Sequence, residues 1–315
     1  MTNTSLSIIF IVDGERLEAQ SLLLVSSLFR QHRANPGVSL IAYMPAASFD
    51  QLSPATRAMY DSCGVSVRAL RDPAGLWKKD YPHGNKLLAL AEPRDSDASL
   101  FLDTDMVCLG RLDDLDYTRT GTVFAVPEGV PTWGQENDRW ERAYAFFDLP
   151  LPEDRVQLMR RGKVSYYPYF NAGFIGVSEE PLRDGKRFGQ LWLETASLFD
   201  WKCAVAKKRP WLDQITLPLT IKRFGLRYEA LPEEYNYSIS NRADLSGLDE
   251  MRLLHYHRAR FLTPAPQYAS LREDALAMIP PALHAEAERL LRQAHYLPPG
   301  EGESEGDDSA ASPPA

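Results

Sequence analysis

The chain has 315 residues, 44% hydrophobic and 25% charged, proportions of an ordinary globular protein rather than a disordered, fibrous or membrane-spanning one. Its formal charge is −8, but the last stretch, PPGEGESEGDDSAASPPA, holds five acids and no base, so the remainder is close to balanced and offers no basic face for nucleic acid. Cys63, Cys108 and Cys203 are scattered without CxxC spacing, which excludes a cysteine-based metal site and a disulfide framework and suits a reducing compartment.

The opening MTNTSLSIIFIVDGER has no basic residue before a short apolar run, so it reads as a first strand rather than a leader, and the cytoplasm is the expected location. No stretch reaches the roughly 18 apolar residues of a membrane span. LSIIFIVDG is the pattern of a strand buried on both faces. EAQSLLLVSSLFRQH follows with Leu22, Val25, Leu28 and Phe29 at helical spacing. VSLIAYM and VSVRAL are further strands, separated by a helix that ends at Gly64; HGNKLLALAEP is a short helix stopped by Pro93. Strand and helix alternate into SLFLDTDMVCLG, which favours a mostly parallel sheet flanked by helices. The second half is less regular. GTVFAVPE and AGFIGVS read as strands, Thr132 to Gly162 as partly helical, and DGKRFGQLWLETASLF and PWLDQITLPLTIKRFG as helices. LRYEALPEEYNY is a strand entering a loop, MRLLHYHRARFL a strand leaving one, and a last helical pair is broken at Pro280 and Pro281. Residues 298–315 lack any large apolar side chain and are expected to be disordered.

One stretch carries the chemistry. In SLFLDTDMVCLG, Asp103 and Asp105 stand on alternate positions at the end of a buried strand, where ligands gather in parallel α/β sheets. Two carboxylates held together repel unless a cation sits between them. A calcium loop does not fit, because position 107 is Val and no glycine stands in the sixth place. The stretch DTDMV is similar to the first motif of haloacid dehalogenase-type phosphohydrolases, in which Asp103 would be a nucleophile, but a clustered acidic pair downstream is missing.

SLFLDTDMVCLGRLDDL resembles the strand–Asp-X-Asp–strand segment of GT-A fold glycosyltransferases, especially retaining enzymes of the glycogenin and lipopolysaccharide galactosyltransferase type. PYFNAGFIGV, WLDQITLPL and LLHYHRARF are similar to three further blocks of that family, in the family's order, and the resemblance spans residues 6 to 262. It implies a GT-A domain over residues 1–297, with a nucleotide-binding half to about 110, a sugar and acceptor half to about 262 and a helical extension beyond. It also implies transfer of a hexose from a nucleoside diphosphate, with UDP as the expected nucleotide, onto an acceptor that is a glycan, a lipid-linked glycan or a protein. By the same resemblance Mn²⁺ or Mg²⁺ is held by Asp103, Asp105 and His255; Val12, Asp13, Lys86, Asp103 and Thr104 bind the nucleotide; and Asn171, Ala172, Gly173, Asp213 and Gln214 meet the sugar, the last two nearest the chemistry. The family continues with glycine and lysine after its histidine, whereas this chain has Arg258 and Arg260 in HYHRARF. A phosphohydrolase and a sugar-nucleotide-binding protein without turnover are the alternatives.

Overall fold

In the computed structural model, residues 4–160 and 164–293 are described. The acidic tail expected to be disordered lies outside them. The chain opens with β1 (Leu6–Ile11), whose six residues are all buried, and α1 (Gly14–His32) begins behind Asp13. β2 (Val38–Pro45) follows, then α2 (Pro54–Cys63), whose start and stop follow local rules. Ser53 accepts the Thr56 N–H at 3.2 Å, Pro54 occupies the first turn, and Gly64 ends the helix in the left-handed region at φ +68°. β3 (Val65–Leu70), α3 (Asn85–Ala91), β4 (Ala98–Leu102) and β5 (Met106–Cys108) complete the first half. Then come β6 (Thr122–Pro127), α4 (Arg139–Ala145), the short β7 (Val156–Gln157) and β8 (Ser165–Tyr166), β9 (Phe170–Ser178), α5 (Phe188–Lys202) and α6 (Leu212–Arg223). β10 (Arg227–Ala230), β11 (Tyr237–Ser238), β12 (Leu253–His255), α7 (Ala259–Leu262), α8 (Tyr268–Ala277) and α9 (His284–Gln293) close the described chain.

The main sheet has seven strands in the order β10-β6-β9-β4-β1-β2-β3. All pairings are parallel except those of β9, which runs against both β4 and β6. The sheet is therefore mixed and mostly parallel, as the GT-A resemblance implies. Two apolar layers sandwich it, one against α1 and α2 and one against α3, α5 and α6. α8 and α9 fold back onto α1. No helix among the described residues is long and apolar enough to cross a membrane.

SLFLDTDMVCLG is not one strand. β4 belongs to the main sheet, whereas β5 pairs antiparallel with β12 in a separate three-stranded sheet, order β11-β12-β5. Asp103, Thr104 and Asp105 are the crossing between the two. The crossing is pinned by backbone groups: Asp103 N–H donates to the Gly173 carbonyl at 2.8 Å, Tyr256 N–H to the Asp105 carbonyl at 3.1 Å, and the Thr104 hydroxyl to the Ile11 carbonyl. The alternation of acids at a strand end thus marks a change of sheet.

α3 approaches α5 so closely that a Cβ on Gly189 would lie 2.0 Å from the Leu90 carbonyl oxygen. Backbone must shift to relieve such an overlap. Gly189→Ala should cost about 1–3 kcal/mol in chemical denaturation. An unchanged midpoint and slope would show that the helices have slack here.

Candidate active site

Beyond the carboxyl ends of β1, β4 and β6 a cavity of about 1080 Å³ opens. Asp13, Asp103 and Glu128 each follow an apolar strand into it, since β1, β4 and β6 all point that way. Lys86 and Asn85 reach it from the start of α3, Asp213 and Gln214 from the start of α6, and His255 from the end of β12. Val12, Ala172 and Gly173 stand behind its wall: Val12 is a core residue, and the Ala172 carbonyl accepts from Lys86 Nζ at 3.3 Å. Gly173 is required by packing. A Cβ there would sit 2.7 Å from Asp103 Oδ2 and 2.8 Å from Asn171 Oδ1.

Lys86 is the electrostatic hub. Its ammonium lies 2.9 Å from Asp103 Oδ1 and 3.1 Å from Asp213 Oδ2, with the lysine and Asp213 side chains almost wholly buried. Burial pulls the lysine down, but the two carboxylates outweigh it and hold it above its usual range. Asp213 is desolvated too, yet Lys86 and the Tyr81 hydroxyl keep its carboxyl below the usual range. Tyr81 donates to Asp213 Oδ1 at 2.8 Å and takes the Asp213 N–H at 3.0 Å. Asp213 is thus a held counter-ion and not only an acid at a helix start. Asn85 Nδ2 donates to Asp13 Oδ2 at 3.0 Å, which aims the carboxylate that ends β1. Tyr169 donates to Gln214 Oε1 at 2.7 Å, so the oxygen of this cavity-lining amide is occupied and its NH₂ is the group left to donate.

Also lining the cavity, Asp105 Oδ1 lies 3.2 Å from His255 Nε2. These two residues stand far apart in the sequence, and β5–β12 pairing brings them together, with His255 opposite Met106. Burial lowers the His255 imidazole, but Asp105 outweighs it and the imidazole is raised; Asp105 is held low in return. From His255 a hydrogen-bonded series runs through Asn236 and Asn171 to Glu128. His255 Nδ1 faces Asn236 Oδ1 at 3.0 Å, and Asn236 Nδ2 donates to Asn171 Oδ1 at 2.9 Å. Asn171 Nδ2 donates to Glu128 Oε2 at 3.1 Å, and Glu128 Oε1 takes the Gly129 N–H at 2.6 Å. The direction of the series puts one proton on His255 Nδ1, and the charged imidazole that Asp105 favours carries a second on Nε2, facing the carboxylate. Burial pushes the Glu128 carboxyl up.

Two residues after His255, His257 would share its side if the strand continued. The strand instead ends at His255, and the chain turns through His257 at φ +55°. The two rings nevertheless meet edge to face with centroids 3.8 Å apart. Asp105, His255 and His257 offer ligand atoms within 4.8 Å of one another. A carboxylate oxygen and imidazole nitrogens are donors that fit a divalent transition cation such as Mn²⁺ better than Mg²⁺, which favours oxygen alone.

Sequence reasoning passed over Tyr81, Glu128, Tyr169 and Asn236. Glu128 carried the signal that singled out Asp13 and Asp103, an acid closing an apolar strand. Asn236 carried none, because only tertiary contact joins it to His255.

Residues 8–225 match the family described as the Rhodobacterales glycosyltransferase domain. No curated protein matches the chain significantly by sequence. Among solved structures, the galactosyltransferase LgtC in complex with donor and acceptor sugar analogues is similar at 16% identity and TM-score 0.55, over 89% of this chain and 99% of that one. An active-site glutamine-to-glutamate mutant of LgtC is similar at 17% identity and TM-score 0.55, with the same shares covered. The apo form of the bifunctional glycosyltransferase WbbM is similar at 14% identity and TM-score 0.56, over 92% of this chain and 52% of that one. At these identities the likeness is one of fold.

Lys86→Met keeps the volume and removes the charge that Asp103 and Asp213 share. A buried carboxylate left without its partner should cost about 3–5 kcal/mol at pH 7. Because the Asp213 pKa is depressed in the folded protein, the stability that it contributes is present above the unfolded carboxylate pKa of about 3.9 and lost as the pH falls. The deficit of Lys86→Met should therefore narrow on acidification. A deficit that stays constant from neutral pH to about pH 3 would mean that packing, not charge, explains it.

Proposed function

The chain belongs to the Rhodobacterales glycosyltransferase domain family, a glycosyltransferase of GT-A type, and from that premise we propose that it moves a hexose from a nucleoside diphosphate, UDP in the first instance, to a glycan, lipid-linked glycan or protein acceptor with retention of configuration. The phosphohydrolase and non-catalytic alternatives give way to that membership. The observation that carries the reading is the meeting of Asp105 with His255 in a cavity that Lys86, Asp213 and Gln214 also line.

Asp105 and His255, with Asp103 beside them, would hold the divalent cation. When bound, the cation would neutralise the charge growing on the diphosphate as the sugar departs. The chain's own groups act around that event. Asp13, aimed by Asn85, lies at the carboxyl end of β1 and suits the ribose or base, with Thr104 between the two acids. Asn171 has its oxygen occupied by Gly173 N–H and Asn236, and so offers its remaining N–H to a sugar hydroxyl. Gln214 presents its NH₂ to the reacting sugar. Asp213 already carries Lys86 and Tyr81, which leaves it poorly placed to attack an anomeric carbon. For that reason we favour a front-face departure and entry, in which the leaving phosphate takes the acceptor's proton, over a covalent intermediate. An active-site glutamine was also chosen for substitution in LgtC. The cavity is larger than the 300–1,000 Å³ usual for one ligand and leaves room for an acceptor.

A thermal-shift screen of nucleotide-sugars, with and without Mn²⁺, should find a UDP-hexose whose stabilisation requires the metal. Asp105→Asn should weaken metal and nucleotide-sugar binding together in calorimetry. Gln214→Ala should leave binding of the free nucleoside diphosphate intact and lower kcat and kcat/KM alike, by about 10². Normal turnover in Gln214→Ala, or full metal-free activity in Asp105→Asn, would remove the roles assigned to them.

A further inference from the structure

Resting on the metal reading above, we propose that His257 is a direct ligand of the cation, giving this site two imidazole nitrogens beside the Asp105 carboxylate. Three independent features of the chain support it. First, the ligand atoms of Asp105, His255 and His257 converge within 4.8 Å, and the Asp103 carboxylate is not one of that group. Asp103 is instead engaged by Lys86 Nζ, at 2.9 Å from Oδ1 and 3.3 Å from Oδ2. Second, the His257 ring is oriented from behind. Its Nε2 lies 3.2 Å from the Ser238 hydroxyl, while Nδ1 faces Asp105 Oδ2 at 3.9 Å. Ser238 is itself fixed, since Arg160 donates to its carbonyl at 2.9 Å and its hydroxyl at 2.8 Å. This is the arrangement of a metal-binding histidine, one nitrogen on a protein oxygen and the other toward the ion. The separation of 3.9 Å is too long for a hydrogen bond and leaves space for an atom between the two groups.

Third, the backbone at His257 is left-handed, φ +55°, a conformation that side-chain-bearing residues adopt at a cost. Extended backbone after β12 would follow ordinary strand alternation; the turn instead brings the second ring to within 3.8 Å of the first. With 40% of its side chain exposed, His257 is not placed there by hydrophobic burial. A second imidazole among the ligands disfavours Mg²⁺, which keeps to oxygen, more than Mn²⁺, and suits Co²⁺ or Ni²⁺ better still.

The test is spectroscopic and needs no substrate. Mn²⁺ alone, bound to the wild-type protein, should give electron spin-echo modulation from two directly coordinated nitrogens. His257→Asn keeps a residue that tolerates the left-handed region and removes the imidazole. It should melt like the wild type, show one nitrogen, bind Mn²⁺ more than about tenfold more weakly by calorimetry, and lose much of its preference for Mn²⁺ over Mg²⁺. One nitrogen in the wild type, or equal affinity and equal modulation in both proteins, would overturn the assignment while leaving the metal reading in place. If the wild type bound no Mn²⁺ at all, both would fall. Should His257→Asn fold poorly, the nitrogen count in the wild type decides alone.

Discussion

A single ammonium holds the site together. Lys86 sits between the half-buried carboxylate that follows β4 and the buried carboxylate that begins α6, and it offsets the repulsion between them. The consequence is structural as well as electrostatic. α3, β4 and α6 come from three separated parts of the chain, and one charge fixes their ends against each other. The α3–α5 approach at Gly189 and the Tyr81 bridge to Asp213 keep that lysine from moving. A group so constrained costs little reorganisation when a charged ligand arrives, which is the basis of electrostatic preorganisation.

The group around His255 has another logic. Asp105, His255, Asn236, Asn171 and Glu128 form one hydrogen-bonded series across the cavity, and every amide in it has its oxygen and nitrogen assigned by its neighbours. Such a network fixes side-chain orientation more firmly than isolated contacts, because turning one amide leaves two buried groups unpaired. It also ties the Asp105 and His255 pair to Asn171 and Glu128. The series depends on the second sheet, since only the pairing of β5 with β12 and of β12 with β11 brings His255 beside Asp105 and Asn236 nearby. The crossing at Asp103, Thr104 and Asp105 is therefore where the main sheet delivers the site to the small one.

Local patterning determined much of this by itself. β1 reads as a doubly buried strand because five apolar residues in a row, Ile8 to Val12, have no other economical place, and α2 is bounded by Ser53 and Gly64, whose effects are confined to their own turn. Asp103 and Asp105 are legible as a site because acids closing a buried strand need a reason, and their resemblance to a family block supplied one. His255, Lys86, Asn171, Asp213 and Gln214 were found through such blocks, not through physics visible in one segment. What only the tertiary structure decided is which of these groups touch. That β9 runs against its neighbours, that SLFLDTDMVCLG changes sheets midway, that Asp213 is neutralised by Lys86, and that Asn236 and Glu128 complete the series all depend on contacts between residues far apart in the chain. Hydrophobic periodicity reports which face of a segment is buried, and it carries no record of what lies against that face. His257 shows the limit plainly. Strand alternation would place it beside His255, a left-handed turn does so instead, and only the folded chain distinguishes the two.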